Sequence, residues 1–208
     1  MVLCLDKSID YQWLVSGSKD RTARIWASTE QGEWRSIAVC EGHAEAIGGV
    51  AISRKMDDKG KTGRFLLTAS QDRTIKMWDL TTVPLGTIPD EPVKPKSLAT
   101  VRAHEKDINS LDLAPNDRFL ASGSQDKLVK IYEVEFIPGQ AGSVRHIGTC
   151  KGHKRGVWTV RFSRTDRIVA SGAADRTVRI WSLDDYSCLK VCPSIPLCTL
   201  SLVQALMG

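Results

Sequence analysis

The chain has 208 residues, of which 42% are hydrophobic and 25% are charged, and its formal net charge is +5. This composition is ordinary for a soluble protein and allows one compact domain with a substantial core. The mild positive charge permits an acidic or nucleic-acid partner but does not require one. The six cysteines contain no Cys-x-x-Cys pair and follow no disulfide framework, so we interpret them as reduced thiols and predict no metal site.

No basic segment and no long apolar run follow Met1, so no secretory signal is predicted. Residues 191–208 are uncharged and only just reach the length that spans a bilayer. They also contain two prolines, so we do not predict a membrane anchor. We divide the chain into a repeat region at residues 1–190 and a non-repeat tail at residues 191–208.

A ten-residue pattern recurs four times and ends on an aromatic ring each time. The copies are GSKDRTARIW, ASQDRTIKMW, GSQDKLVKIY and GAADRTVRIW. Each copy has an aspartate six residues before the ring, and successive aspartates are 49 to 54 residues apart. A strand-rich unit with this period is typical of a propeller blade.

Alternating strand-like segments surround each aspartate turn. The inner segments are IGGVAIS (47–53), INSLDLA (108–114) and VWTVRFS (157–163), and the second segments are FLLTAS (65–70), FLASGS (119–124) and IVASGA (168–173). The third follows each turn, and the fourth is SIAVC (36–40), SLATV (97–101) or HIGTC (146–150). The period of two and the β-branched residues predict strands throughout, with no helix.

These segments predict three complete four-stranded blades plus partial ones, in an incomplete and open ring. The first copy has no Gly-His pair, and we expect it to lack its own inner strand. Three connections are expected to be loops: residues 54–63, the proline-rich residues 81–97 and residues 135–143. We expect the second of them to be extended and poorly ordered.

The Gly-His pairs, the aspartate turns and the terminal Trp-Asp resemble the WD-repeat (WD40) β-propeller family. In that family four side chains of each blade form a hydrogen-bonded relay, and the resemblance implies such a relay in three blades and part of one in the first. The implied relay residues are His43, Thr68, Asp72 and Trp78; His104, Ser122, Asp126 and Tyr132; His153, Ser171, Asp175 and Trp181; and Ser16, Asp20 and Trp26.

Ser, His and Asp could also indicate a catalytic triad. The same trio occurs three times at similar spacing, which fits a structural role, and no nucleophile-elbow motif accompanies it. We therefore predict that the protein is not an enzyme, has no catalytic residue and uses no cofactor. A buried imidazole needs partners for both nitrogens, and a fully satisfied network of this kind fixes geometry.

Charged residues near the Gly-His pairs and in the aspartate turns are the candidates for partner binding. We expect these loops and turns to lie on one face of the propeller. Basic residues at equivalent turn positions could contact phosphate or an acidic partner, or could pack over a neighbouring ring and pair with nearby acid. The candidates are Glu45, Lys106, Asp107, Lys154, Arg155, Arg21, Arg73, Lys127 and Arg176.

The phrases HEKDINSLDLAPND, GHKRGVW and DDYSCLK resemble the U3 small nucleolar RNA-associated WD-repeat family, the transducin-beta-like subunits of the small-subunit processome. The resemblance implies a fragment of a nucleolar scaffold that acts in pre-rRNA processing within a subcomplex of WD-repeat subunits. The resemblance also implies contact with pre-rRNA or the U3 ribonucleoprotein, either directly or through other subunits. The alternative is a substrate receptor of a cullin-type ubiquitin ligase, or another protein-interaction propeller.

Overall fold

A computed structural model describes residues 1–55, 64–84 and 87–193, which form strands joined by turns and loops. These residues contain sixteen strands and no helix, so the predicted all-β class is confirmed, and none of them forms a membrane-spanning helix. In chain order the strands are β1 Val2–Lys7, β2 Trp13–Ser18, β3 Ala23–Ser28, β4 Trp34–Cys40, β5 Ile47–Ile52, β6 Phe65–Ser70, β7 Thr74–Asp79, β8 Ser97–Arg102, β9 Ile108–Leu113, β10 Phe119–Ser124, β11 Val129–Ile137, β12 Ala141–Cys150, β13 Val157–Phe162, β14 Ile168–Ala173, β15 Thr177–Ser182 and β16 Cys188–Pro193.

Each set of four consecutive strands forms one antiparallel sheet, in the order in which the strands occur in the chain. The first strands of the sheets, β1, β5, β9 and β13, lie next to one another in sequence order. The four sheets are therefore the blades of a propeller arranged around a common axis. Their first strands are the inner strands, and the fourth strands lie outermost.

The structure contains four complete sheets where the sequence predicted three complete blades and a partial one. Val2–Lys7 form the inner strand of the first blade and pair with β2, from Val2 opposite Ser18 to Lys7 opposite Leu14. The sequence prediction used the Gly-His pair to locate each inner strand, and it missed this strand because the first copy lacks that pair. A strand forms where its backbone groups are paired, and β2 supplies that pairing.

Most of the core lies where one blade packs on the next. Ile47 and Val50 of β5 pack in one cluster with Val15 and Ile25 of the first blade. Equivalent clusters join the second blade to β9 and the third blade to β13. Full burial of each such side chain stabilises the fold by about 1.5–3 kcal/mol. Neighbouring blades therefore stabilise one another.

Each inner strand has two residues that face the preceding blade, and their exposure in β1 shows that the ring of blades is open, as predicted. In β5 these positions are Ile47 and Val50, which are 0% and 5% exposed. The equivalent residues of β1 are Val2 and Leu5, which are 54% and 59% exposed. Among the described residues no blade precedes β1, so its apolar face lies uncovered.

Two of the predicted loops are more ordered than expected. In the proline-rich connection, the Val93 N–H donates to Ile37 O and the Val39 N–H donates to Val93 O, both at 2.9 Å, so this segment packs along β4. Residues 135–143 are mostly strand, because β11 and β12 form one long hairpin that turns at residues 138–140. The strand β16 continues to Pro193, whereas residues 56–63 and 194–208, which include most of the first predicted loop and most of the tail, lie outside the described residues.

Candidate functional site

The fourth blade shows the relay most completely. His153 lies in the loop before β13, and its Nδ1 is 2.9 Å from Oδ2 of Asp175 in the turn between β14 and β15. The other ring nitrogen, Nε2, is 2.7 Å from Ser171 Oγ. The indole Nε1–H of Trp181 donates to the same Oγ at 2.7 Å. Four side chains from one loop, one turn and two strands thus form a continuous hydrogen-bonded chain.

The second blade repeats this geometry with threonine in place of serine. His43 Nδ1 is 2.8 Å from Asp72 Oδ2, and His43 Nε2 is 2.8 Å from Thr68 Oγ1. The Trp78 Nε1–H donates to Thr68 Oγ1 at 2.9 Å.

The third blade differs from the others in the hydrogen bonds of its last member, Tyr132. His104 contacts Asp126 at 2.8 Å and Ser122 at 2.7 Å, as in the other blades. The Tyr132 hydroxyl, however, donates to the backbone carbonyl of Ala103 at 3.1 Å. Tyr132 also forms a side-chain hydrogen bond with Ser122, so it keeps contact with the relay hydroxyl. The hydrogen bond from Tyr132 to the Ala103 carbonyl therefore connects β11 to the loop before β9.

The first blade keeps only part of the relay. The Trp26 Nε1–H donates to Ser16 Oγ at 2.9 Å, as tryptophan does in the second and fourth blades. Asp20 is exposed, and its Oδ1 accepts the backbone N–H of Thr22 at 2.9 Å and the Thr22 hydroxyl at 2.7 Å. No histidine contacts it among the described residues. Asp20 therefore serves as an internal comparison for the three complete sites.

A neutral imidazole satisfies every group in the relay. The indole N–H donates to the hydroxyl oxygen, the hydroxyl hydrogen is donated to Nε2, and the Nδ1–H is donated to the carboxylate. In the fourth blade His153, Ser171 and Trp181 are buried, and Asp175 is half-buried. This arrangement leaves no donor or acceptor of the relay unpaired, so it fixes the loop against the sheet.

The electrostatic environment keeps the relay in this protonation state. Burial lowers the pKa of His43 and of His153, and their aspartate partners only partly oppose this effect. For Asp175, burial acts to raise the pKa, but hydrogen bonds from Thr177, the Lys154 N–H and His153 together lower it to about 2. The same competition lowers the pKa values of Asp72 and Asp126.

The relay predicts a loss of stability in mild acid. Because the folded pKa of His153 lies below its unfolded value of about 6.5, the unfolded chain binds more protons as the pH falls through that value. A second loss is expected below about pH 3.8, continuing towards pH 2, as Asp175 becomes protonated. Urea unfolding should show a lower free energy of unfolding at pH 5 than at pH 7.5. A free energy of unfolding that is unchanged or higher at pH 5 would contradict the assignment.

Each relay aspartate also joins the His-containing loop to the adjacent turn. The N–H of the residue after the histidine donates to the aspartate Oδ2, at 3.0 Å for Ala44, 3.2 Å for Glu105 and 2.8 Å for Lys154. Backbone bonds add to this, since the Gln71 N–H donates to Ala46 O at 2.9 Å. These loops and turns therefore lie together on one face of the propeller, which we call the His-loop face.

The structure places the predicted partner-binding residues on the His-loop face. Asp107 is half-buried, and the other eight are exposed: Glu45, Lys106, Lys154, Arg155, Arg21, Arg73, Lys127 and Arg176. The last four have positive φ angles of 62° to 74°. Because this conformation is unusual for residues other than glycine, the turn geometry fixes the direction in which each basic side chain leaves the face. Arg21 of the first blade donates to Ala44 O, in the loop before β5 of the second blade, at 3.4 Å.

Sequence reasoning missed a charged cluster at the opposite ends of the inner strands. Asp112 is buried, and its Oδ1 is 3.0 Å from Arg54 and 3.7 Å from Arg161. Asp6 and Asp112 occupy equivalent strand positions, and each accepts a backbone N–H from the next blade, from Ile52 at 3.0 Å and Phe162 at 2.7 Å. The signal in the sequence was an acidic residue within an inner strand, at the same strand position in β1 and β9.

The described cysteines are free thiols. Burial raises the pKa of Cys4, Cys40 and Cys150 to about 12, so their thiolate forms are suppressed. Among the described residues no group of histidine, cysteine or acidic side chains is arranged to hold a metal ion. Cys198, which the sequence groups with Cys188 and Cys192, lies outside them.

The repeated blades and the relay are those of a WD-repeat propeller. The family model "WD domain, G-beta repeat" matches residues 1–27, 34–79, 95–133 and 144–182, which together are more than half of the chain. The chain belongs to this family.

Among the curated relatives, one is named for U3 small nucleolar RNA and another for ribosome biogenesis. Transducin beta-like protein 3 of Homo sapiens is 38% identical over 135 residues, and U3 small nucleolar RNA-associated protein 13 of Saccharomyces cerevisiae is 39% identical over 132 residues. The matches cover 64% and 63% of this chain but only 16% of either relative. The ribosome biogenesis protein WDR12 homolog of Drosophila persimilis is 29% identical over 60% of the chain and 26% of its own length.

Proposed function

We propose that this chain forms part of a non-catalytic scaffold of the small-subunit processome, which acts in pre-rRNA processing in the nucleolus. The similarity to transducin beta-like protein 3 and U3 small nucleolar RNA-associated protein 13 carries the proposal. The partners would be other WD-repeat subunits of a processome subcomplex, and pre-rRNA or the U3 ribonucleoprotein would be contacted directly or through them. A nuclear and nucleolar location follows from this role.

The burial of the relay supports a structural role for its Ser, His and Asp residues. The relay hydroxyls of Thr68, Ser122 and Ser171 are 0% exposed. In the second and fourth blades the hydroxyl oxygen already accepts a tryptophan N–H, so it is committed to the network. A nucleophile has to reach its substrate, and these oxygens cannot do so without opening the blade.

The ubiquitin-ligase alternative gains no support from the loop after Trp78-Asp79. Receptors of that class often carry arginine two residues after this pair, and Thr81 occupies the position here. The Thr81 N–H and hydroxyl donate to Asp79 Oδ1 at 2.9 Å and 2.6 Å. Thr81 is therefore part of a tight turn and presents no cationic group.

The His-loop face is the proposed surface for protein partners. Lys154→Glu with Arg155→Glu should strongly weaken capture of processome subunits, because two exposed positive charges become negative. Folding should change by no more than about 0.5 kcal/mol, since surface substitutions rarely cost more. Affinity purification with quantitative mass spectrometry measures the capture.

A matched control is Arg35→Glu with Lys190→Glu, which makes the same charge change on the outer strands β4 and β16. Both control residues are exposed. Equal capture by wild type and the Lys154/Arg155 variant, or an equal loss in the control, would argue against this face. Capture of a cullin adaptor in place of processome subunits would favour the alternative.

A further inference from the structure

A cleft of about 360 Å³ lies at the ends of the inner strands, away from the His-loop face. Its charged lining comes from all four blades: Lys7 and Asp6, Arg54, Asp112, and Arg161 and Arg164. Four cationic side chains thus surround the cleft with two carboxylates. The net charge of these six side chains is positive, as is the net charge of the whole chain.

Both carboxylates already have partners. Asp112 Oδ2 accepts the Phe162 N–H at 2.7 Å, and its Oδ1 lies 3.0 Å from Arg54. Asp6 Oδ2 accepts the Ile52 N–H at 3.0 Å. These carboxylates join neighbouring blades, so much of their capacity to accept hydrogen bonds is used within the protein.

The cations retain unused donors. Arg54 Nε is buried without a hydrogen-bond partner. Lys7 and Arg164 are exposed, and neither forms an ion pair with another described residue. Arg54 and Arg161 have side chains that are 31% and 34% exposed, so they also reach solvent. A phosphate group would accept hydrogen bonds from such a set.

An exposed aromatic ring lies beside this group. Tyr11 is 68% exposed, and Lys7 Nζ is 4.0 Å from the centre of its ring. Tyr11 lies in the turn between β1 and β2 with a φ angle of 59°, and its contact with Lys7 places the ring next to a residue that lines the cleft. Cationic side chains next to an exposed ring are the combination that binds the backbone and stacks the bases of single-stranded nucleic acid.

We propose that the cleft and Tyr11 bind single-stranded RNA, with Lys7 and Arg164 contacting its phosphates and the phenol ring stacking on a base. The proposal deepens the proposed function by giving the scaffold a direct RNA contact on the face opposite the His loops. A phosphopeptide would use the same cations but would gain little from the exposed ring.

The test is fluorescence anisotropy with a labelled 12-nucleotide single-stranded RNA over a range of NaCl concentrations, using the full chain. Lys7→Gln with Arg164→Gln should reduce the slope of log affinity against log salt by about 1.4, since each lost phosphate contact removes about 0.7. Tyr11→Ala should weaken binding about fivefold or more with little change in this slope, because it removes the stacking ring but no charge.

Arg35→Gln with Lys190→Gln is the control of equal charge change and should bind RNA like the wild type. Wild-type affinity in the Lys7/Arg164 variant, or an equal loss in the control, would overturn the proposal. So would tighter binding of a phosphopeptide of matched charge than of the RNA. Protein capture by the His-loop face is measured in a separate experiment. Failure of the RNA test would therefore not decide whether the proposed scaffold role is correct.

Discussion

Asp175→Ala should lower the free energy of unfolding by about 1–3 kcal/mol, because it leaves Nδ1 of the buried His153 with only the Thr177 hydroxyl, at 3.4 Å, as a partner. The same change also removes the acceptor of the Lys154 and Thr177 backbone N–H groups. Urea unfolding at pH 7.5, followed by tryptophan fluorescence, measures the loss.

Asp20→Ala is the matched control for this experiment. Asp20 occupies the same turn position in the first blade, but it is exposed and contacts no histidine among the described residues. Its replacement should therefore cost clearly less than that of Asp175. If the two variants lost the same stability, the imidazole–carboxylate pair would contribute nothing beyond the local turn, and the relay would not have the role assigned to it.

Gly49→Ala should be among the most destabilising substitutions in the chain. A Cβ atom at this position of β5 would lie 2.7 Å from Leu111 N and 3.0 Å from Ser110 C, which are backbone atoms of the next blade. Overpacking of this kind typically costs about 1–3 kcal/mol, and the cost rises when the neighbour cannot move aside. The melting temperature and urea midpoint should both fall.

Gly142→Ala provides the comparison, since its Cβ would meet Met77 Sδ, an atom of a flexible side chain, more closely than any other atom. The thioether can change rotamer, so this variant should retain more stability than Gly49→Ala. Equal losses in the two variants would show that close approach between inner strands does not limit the packing of the blades.

The repeat made much of the fold predictable. Each aspartate turn joins two alternating strands, and local patterns of this kind do not depend on distant parts of the chain. The relay members could be placed for the same reason, because the turn that holds Asp72 or Asp175 recurs with its histidine and hydroxyl at similar distances along the chain. Tyr132 shows the limit, since its hydroxyl contacts the Ala103 carbonyl as well as Ser122, and no residue pattern marks that carbonyl.

Features that depend on contacts between distant segments could not be predicted. The docking of Val93 on β4 joins residues more than fifty positions apart and uses backbone groups alone. The Asp117 carboxylate binds the Arg54 and Lys55 N–H groups of the preceding blade, each at 2.8 Å. Such contacts arise only once the blades are placed side by side. The cluster around Asp112 was missed for the same reason.

Depletion of the protein followed by analysis of rRNA precursors tests the central proposal most directly. If the protein is a processome scaffold, unprocessed precursors of the small-subunit rRNA should accumulate, while large-subunit rRNA is made normally. Re-expression of the wild-type protein should restore processing. Normal small-subunit processing after depletion, or an equal defect in both subunits, would contradict the proposed role and leave a WD-repeat propeller with a different partner.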